Sequence, residues 1–264
     1  MNKIKLSAII LVRNEEEIIK DCLESVKWVG EIVVVDNDST DKTLNIVKEY
    51  NAKIVRSPSG NSFADHRNLG AKAACGEWLL YVDADERVTP LLRKEIESVI
   101  QNQLSSSEKF AAYAIPRRNI RLTKELRWGG WWPDYVLRLM RKNKLVSWQG
   151  DLHEQPKIDG EVGYLKEAFV HFSHRGSLEN KLQNTINWSK IEAEKLYESG
   201  HPPMNIFRFL SAMWREFYLR MIKYQAFRDG IEGVMEAIYQ VFSVFITYAR
   251  LWEKQESKKI ENFN

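Results

Sequence analysis

The chain has 264 residues, of which 44% are hydrophobic and 28% charged, and its net charge is +3. This composition is that of a folded globular protein, long enough for one large domain or for one domain with an appendage. The small net charge gives no argument for a nucleic-acid partner, and no apolar run reaches the roughly 18 residues of a membrane-spanning helix. The two cysteines, Cys22 and Cys75, lie in predicted helical stretches and are expected to be small core residues in a reducing compartment.

Strands and helices alternate along the first third of the chain. The predicted strands are Leu6–Val12, Glu31–Val35, Ala52–Arg56 and Trp78–Val82. A helix is expected between each pair: one ending near Gly30, one running to Tyr50 with Ser39 or Thr40 as its cap, and one from Phe63 to Ala74. This alternation predicts βαβ units and a mostly parallel sheet.

Polar clusters follow three of these strands, namely Arg13-Asn14-Glu15, Asp36 to Asp41, and Asp83 with Asp85. Ligands of parallel sheets bind outside the carboxyl ends of the strands. In a strand, alternate side chains share a face, so Asp83 and Asp85 can point into one cleft, where a cation would hold them together. Few, hard oxygen ligands suit Mg²⁺ or Mn²⁺ with positions left for phosphates. The alternative is a solvated acidic turn.

Four blocks carry a family resemblance: residues 10–16, 34–41, 67–70 and 81–86. Their order and spacing resemble the family 2 glycosyltransferases with the GT-A fold, which implies an α/β, Rossmann-like sheet flanked by helices. Residues 132–141 and 152–154 resemble the branch that builds lipopolysaccharide cores, including β-1,4-glucosyltransferases. By this resemblance, residues 1–175 are the nucleotide-sugar-binding catalytic domain.

The resemblance also implies roles for individual residues. The residues implied to hold the nucleotide sugar are Arg13, Asn14, Glu15, Asp36, Asp38, Arg67, Asp83 and Ala84. Where the family commonly has a second aspartate after the second strand, this chain has Asn37, which leaves the exact pairing to the base open. Asp85 would bind a metal that bridges the diphosphate, and a histidine after the predicted strand Lys166–Phe172 would be a further ligand, with His171 preferred over His174.

Inverting transfer needs a general base for the acceptor hydroxyl. Glu154 is the preferred candidate, and Asp151 and Asp134 are the alternatives. A surface or capping glutamate is the competing interpretation of Glu154.

Three tryptophans, Trp128, Trp131 and Trp132, surround the glycine pair Gly129-Gly130. Sugars stack on such flat faces, and glycines permit a loop to close. An acceptor-binding or lid role is therefore expected, with an ordinary hydrophobic plug as the alternative.

Residues 176–264 are expected to form a helical extension. From Phe207 to Tyr224, aromatic and aliphatic residues recur at steps of three and four, interleaved with arginines. Residues 204–252 are accordingly predicted to make a peripheral contact with an anionic membrane surface. The alternative is packing on the catalytic domain or on a second subunit of a homo-oligomer.

The function expected from these features is metal-dependent, inverting transfer of a hexose, with glucose favoured, from a UDP-sugar to a glycan or glycolipid of the cell envelope. A polyprenyl-phosphate or protein glycosyltransferase of the same fold is an alternative. Two other classes are a phosphotransferase with an aspartyl nucleophile and a non-catalytic sugar-nucleotide-binding module. Without a recognisable signal peptide, the enzyme is expected at the cytoplasmic face of the inner membrane.

Overall fold

The computed structural model describes residues 5–58, 60, 62–102, 110–121, 124–150, 154–173 and 178–261. Its N-terminal part alternates four strands with three helices, as the sequence predicts. The strands are β1 (Leu6–Val12), β2 (Glu31–Asp36), β3 (Lys53–Arg56) and β4 (Trp78–Asp83), and the helices are α1 (Ile19–Val26), α2 (Thr43–Lys48) and α3 (Phe63–Ala73). The four strands are parallel and lie in the order β3-β2-β1-β4.

The central strand β1 is buried on both of its faces. Ile9 and Ile10 point to opposite sides of the sheet, and both are completely buried. Ile9 packs with Tyr81 in one apolar cluster, and Ile10 belongs to a second cluster that includes Leu23 of α1. Burial on both faces explains why this strand is a continuous apolar run rather than an alternating one.

Helix α3 lies unusually close to β1. A Cβ atom at Gly70 would lie 2.4 Å from Cγ2 of Ile9, so only glycine allows this approach. The helix begins with a capping box in which Ser62 Oγ accepts from the N–H of Asp65 and the Asp65 carboxylate accepts from the N–H of Ser62. Both features fix the position of α3, which carries Arg67.

Eight further strands and one α-helix lie between β4 and residue 172 in the described part of the chain. They are β5 (Glu86–Val88), α4 (Pro90–Asn102), β6 (Ala112–Arg121), β7 (Lys124–Leu126), β8 (Asp134–Arg141), β9 (Leu145–Gln149), β10 (Gln155–Ile158), β11 (Val162–Tyr164) and β12 (Phe169–His171). β8 is antiparallel to both β4 and β6, and β12 is antiparallel to β5. The sheet continues from β4 as β8-β6-β12-β5. The predicted α/β class with flanking helices is confirmed, in a mixed sheet whose N-terminal strands are the parallel part.

Three local predictions need correction. Helix α2 begins at Thr43 without a side-chain cap, because Ser39 Oγ instead accepts from the N–H of Asn14. The predicted strand Lys166–Phe172 is shorter, since the N–H of Lys166 donates to Glu95. Cys22 is buried as expected, whereas Cys75 is exposed.

The chain forms two compact units. The first comprises Met1–Arg118 and Pro133–Phe172, and the second comprises Asn119–Trp132 and Ser173–Asn264. The tryptophan segment thus belongs to the same unit as the C-terminal helices, although it precedes them by more than forty residues in the sequence.

The second unit is mainly helical. It contains α5 (Leu178–Glu198), α6 (Ile206–Phe217), a π turn (Tyr218–Lys223), a 3₁₀ turn (Ala226–Asp229) and α7 (Ile231–Glu261). Asn205 caps α6 by accepting from the N–H of Arg208 at 3.0 Å. Ala193 of α5 and Leu251 of α7 are buried together with Met204. Among the described residues, no helix has both the length and the apolar character needed to cross a bilayer.

Candidate functional site

The loops that follow β1 and β2 are hydrogen-bonded to each other. Asn14 and Asp38 have positive φ angles, 56° and 55°, which non-glycine residues seldom adopt. The N–H of Asn14 donates to Ser39 Oγ at 3.0 Å, and Asn14 Oδ1 accepts from the N–H of Thr40 at 2.8 Å. Strained backbone of this kind clusters at binding sites, so these two loops form a defined surface at the carboxyl edge of the sheet.

The predicted nucleotide-binding side chains differ in exposure at this edge. Asp36 is buried at the end of β2, and its Oδ1 accepts from the N–H of Ser39 at 3.2 Å. Arg13, Asn14 and Asp38 are exposed. Their roles in holding a base and a ribose stay predictions. Asp36 is held by Ser39 and the Asn14 amide oxygen by Thr40, whereas Arg13 and Asp38 are open to solvent.

An acidic group lies beside these loops. The pKa of Glu15 is raised to about 7, first because the carboxyl is partly buried and then because of the charges of Asp85 and Asp41. The side chain of Glu15 is half-buried, and the backbone N–H of Glu15 donates to Thr43 Oγ1 at 2.7 Å. The carboxylates of Glu15, Asp41 and Asp85 repel one another, and a bound cation or a proton would reduce this repulsion.

Asp83, at the end of β4, is held by two arginines. Its Oδ1 accepts from Arg67 Nη2 at 2.9 Å, and its Oδ2 accepts from Arg138 Nη2. These two guanidinium groups hold the pKa of Asp83 well below its usual range despite burial. The carboxylate is therefore charged, and its implied contact with a ribose would require it to keep or exchange these partners.

Arg67 is buried rather than displayed on the surface of α3. It is 3% exposed, and its Nε donates to Glu154 Oε1 at 2.9 Å. The guanidinium lies over the ring of Trp148 at 4.8 Å. Arg67 Nη1 is buried without a hydrogen-bond partner, which is unusual for a buried donor.

A cavity of about 290 Å³ adjoins this arginine. Its lining includes Arg67, Asp83, Arg117, Tyr135, Trp148 and Glu154. A volume near 300 Å³ is at the lower end of the range for small-molecule sites. Glu154, the preferred general base, thus lines a cavity of the first unit and is held there by Arg67.

The other candidate bases have different positions. Asp134 begins β8, and its Oδ2 accepts from Arg117 Nη2 at 2.8 Å. Arg117 Nη1 is also 3.5 Å from Glu86 Oε1. The same oxygen of Glu86 lies 3.5 Å from Arg138 Nη2. Asp151 lies outside the described residues.

Seven charged side chains therefore form one series in which acids and arginines alternate. In order, they are Glu154, Arg67, Asp83, Arg138, Glu86, Arg117 and Asp134. Each arginine in this series contacts two carboxylates. Such alternation offsets the cost of desolvating each charge and orients both Glu154 and Asp134.

Asp85 and His171 form the candidate metal pair. Their Oδ2 and Nε2 atoms are 3.3 Å apart, because β12 pairs with β5 so that His171 lies opposite Glu86. Ala84 is buried, and its carbonyl accepts from Arg87.

No group of three or more His, Cys, Asp or Glu side chains suited to a metal occurs in the described part of the chain. A pair of protein ligands with phosphate oxygens and water completing the shell fits Mg²⁺ and Mn²⁺. His174, the alternative ligand, is outside the described residues.

The tryptophan segment is held within the second unit. Asp229 Oδ2 accepts from the N–H groups of Arg127 and Trp128 at 2.9 and 2.7 Å. The N–H of Gly129 donates to the carbonyl of Tyr224 at 2.8 Å. These contacts fix the backbone of a segment whose glycine pair predicts a loop that can close. Its acceptor-binding or lid role stays a prediction.

The three indole rings have different surroundings. Arg228 lies over Trp128 at 3.8 Å, and Trp131 lies near two guanidinium groups, those of Arg121 at 4.9 Å and Arg220 at 5.4 Å. Trp132 is the most open of the three at 41% exposure. It is therefore the one with a face available for stacking.

Several site residues were missed by sequence reasoning. Glu86 lies in a recognised block but had no predicted role, and Arg138 lies within the run Val136–Met140, whose other members are apolar. Asn68 accepts from the N–H of Trp148 and donates to its carbonyl, at 2.8 and 3.0 Å. A buried arginine in an apolar strand is a signal for a buried acid, whereas nothing in the sequence pairs Asn68 with Trp148.

The fold is α/β, and the strand ends at this edge have the carboxylates and arginines of a candidate ligand site. The chain belongs to glycosyltransferase family 2, whose model, "Glycosyl transferase family 2", matches residues 7–153. The protein is a glycosyltransferase.

Curated relatives agree with this class over nearly the whole chain. An "Uncharacterized glycosyltransferase" of Rickettsia bellii is 27% identical over 94% of this chain and 86% of that protein. The "Lipopolysaccharide core biosynthesis glycosyltransferase LpsC" of Rhizobium meliloti is 26% identical over 98% of this chain and 96% of that protein. Among solved structures, S. aureus TarS in complex with UDP-GlcNAc has a TM-score of 0.49 at 15% identity, over 96% of this chain and 92% of that chain.

Proposed function

We propose that the enzyme transfers a hexose, with glucose favoured, from a UDP-sugar to a glycan or glycolipid acceptor with inversion at the anomeric carbon. The observation that carries this proposal is the convergence of Arg67, Asp83 and Glu154 on one cavity at the carboxyl end of β4. In parallel sheets this edge is where ligands bind. The cavity is lined by carboxylates and by the guanidinium-bearing side chain of Arg67.

Glu154 is proposed as the general base. Its carboxylate would accept the proton of the acceptor hydroxyl while that oxygen bonds to the anomeric carbon and the bond to the UDP oxygen breaks. The Nε of Arg67 orients this carboxylate at 2.9 Å, and Arg138 holds Asp83 on the other side. Asp134, oriented by Arg117, is the alternative base.

Asp85 and His171 are proposed to hold Mg²⁺ or Mn²⁺. The ion would offset the charge of the diphosphate and so make UDP a better leaving group. Their 3.3 Å separation supports a cation at this point, as does the Glu15 carboxyl, whose pKa is raised by burial and by the charges of Asp85 and Asp41. The exposed side chains of Arg13, Asn14 and Asp38 would hold the base and ribose, next to the fixed carboxylate of Asp36.

The acceptor class is proposed from the relative LpsC, whose name assigns it to lipopolysaccharide core biosynthesis. Lipopolysaccharide core, or another glycan of the cell envelope, is the corresponding acceptor here. A polyprenyl phosphate or a protein is the alternative acceptor for an enzyme of this family.

The test is release of UDP from a panel of UDP-sugars, with and without Mn²⁺, followed by mass analysis of a core-oligosaccharide product. Glu154→Gln is expected to lower kcat by about 100-fold or more while UDP binding persists. Asp85→Asn is expected to remove the Mn²⁺-dependent part of UDP binding.

Matched controls are substitutions of exposed acids of the same unit, Glu161→Gln and Asp159→Asn. Both should leave kcat and Mn²⁺-dependent UDP binding unchanged. Full activity of Asp85→Asn would defeat the metal assignment. If Glu154→Gln keeps kcat and Asp134→Asn loses it, Asp134 is the base.

A further inference from the structure

An exposed apolar face runs along α6 and the π turn that follows it. Ile206, Leu210, Trp214, Tyr218 and Ile222 recur at every fourth residue, and all five are exposed. Phe207, beside the first of them, is 79% exposed, and Trp214 is 63% exposed. Scattered apolar side chains are normal on a protein surface, but a row of this length marks an interaction site.

The π turn keeps this row on one side of the helix. In an α-helix a step of four residues overshoots a full turn by about 40°, so the row drifts sideways from Ile206 to Tyr218. Tyr218–Lys223 is a π turn, which has more than four residues per turn, so Ile222 rotates back towards Trp214. π turns are rare and concentrate at functional sites.

Positive charge accompanies the apolar row. Residues 206–223, which are α6 and the π turn, contain four basic side chains and a single acid, Glu216. That acid is already engaged, since Glu216 Oε1 accepts from Arg220 Nε at 2.7 Å. The remaining cations, Arg208, Arg215 and Lys223, are all exposed.

A second copy of the chain fits this face poorly. In a two-fold symmetric interface the same patch meets itself, so these three cations would meet one another without opposing acids. Like charges brought together across an interface repel each other and disfavour association. An anionic lipid surface instead complements the cations and accepts the aromatic and aliphatic side chains.

We propose that this face of α6 and the π turn is a docking surface that lies flat on an anionic lipid bilayer. Phe207, Leu210 and Trp214 would enter the boundary between head groups and acyl chains, with Arg208 and Arg215 at the head-group phosphates. The proposal does not depend on the identity of the sugar donor or of the general base.

The test is co-sedimentation of the full chain with vesicles of phosphatidylcholine alone or mixed equally with phosphatidylglycerol. Wild-type protein is expected to bind the anionic vesicles, less tightly at higher salt. The double variant Phe207→Ser/Trp214→Ser is expected to lose at least about tenfold in binding. Arg208→Glu/Arg215→Glu should lose a similar amount on anionic vesicles.

Trp188→Ser is the matched control, because Trp188 is an exposed tryptophan on α5. Lys157→Glu, at an exposed position of the first unit, controls for the charge change. Both should bind like wild type, and circular dichroism and thermal unfolding verify that every variant is folded.

Equal binding of wild type to both vesicle types would overturn the proposal, as would equal loss in Trp188→Ser and Phe207→Ser/Trp214→Ser. Sedimentation velocity in the absence of lipid supplies the other decisive result. A dimer that Phe207→Ser/Trp214→Ser dissociates would assign the face to a second copy of the chain and overturn lipid docking.

Discussion

Arg67, Arg138 and Trp148 of the first unit and Arg208, Arg215 and Trp214 of the second unit of this glycosyltransferase are the same residue types in opposite settings. In the first unit Arg67 and Arg138 are buried, and each contacts two carboxylates around the nearly inaccessible Trp148. In the second unit Arg208 and Arg215 are exposed beside the open ring of Trp214. Burial is what forces pairing, because an unpaired charge is tolerated in water but not in a protein interior.

The same residue types therefore have different roles in the two units. Buried arginines of the first unit orient acids at a cavity, whereas the exposed ones of the second unit leave their charge available to a partner. Substitutions of matched residues in the two settings should therefore have very different consequences for stability.

The largest expected difference is between Trp148→Ala and Trp214→Ala. Trp148 packs edge-on against Tyr81 at 4.8 Å and lies under Arg67, so its loss should lower the free energy of unfolding by about 4 kcal/mol. Trp214 is largely in water, and its loss should change that free energy by less than about 0.5 kcal/mol. Urea unfolding followed by circular dichroism measures both, and similar values for the two variants would contradict the contrast.

Removing a buried guanidinium should have the next largest effect. Arg67→Met leaves the charges of Asp83 and Glu154 without this partner and should cost about 3 kcal/mol. Arg93→Met is the matched control, since Arg93 pairs with Glu97 at 3.0 Å on the surface, and exposed pairs contribute about 0.5 kcal/mol. Equal midpoints of urea unfolding for the two variants would show that the Arg67 pairs contribute little.

The smallest expected effect depends on pH and concerns Glu15. Its folded-state pKa of about 7 exceeds the ordinary 4.5. Between about pH 4.5 and 7, Glu15 is therefore ionised in the unfolded chain but still protonated in the folded protein. The wild type accordingly loses stability as the pH rises through this range. Glu15→Gln removes this loss and should be more stable above pH 7 by about 1 kcal/mol, a value discounted for solvent screening of a half-exposed group. The difference should shrink below pH 4.5.

Thermal unfolding across this pH range measures the effect, and Glu17→Gln at an exposed neighbouring position controls for the charge removed. A constant difference between Glu15→Gln and wild type at every pH would contradict the raised pKa.

Much of the first unit was predictable from the sequence because its signals are local. The apolar run of β1 and the alternation with α1 to α3 indicate a parallel sheet, and polar residues placed after strands indicate its ligand edge. Of the later strands, β6, β7 and β9 to β11 were missed. The longest of them, β6, contains charged residues within its run, and its antiparallel pairing with β8 joins segments distant in sequence.

The sequence by itself determined the fold class, the family resemblance and the edge of the sheet at which the acids gather. Only the tertiary structure decided that Arg67 reaches Glu154 across 87 positions and that Asp229 fixes the Trp128 segment from 101 positions away. The physical reason is that propensity and periodicity act between near neighbours in the chain. The partner of a buried charge is chosen by which distant side chains the packed elements bring within hydrogen-bonding distance.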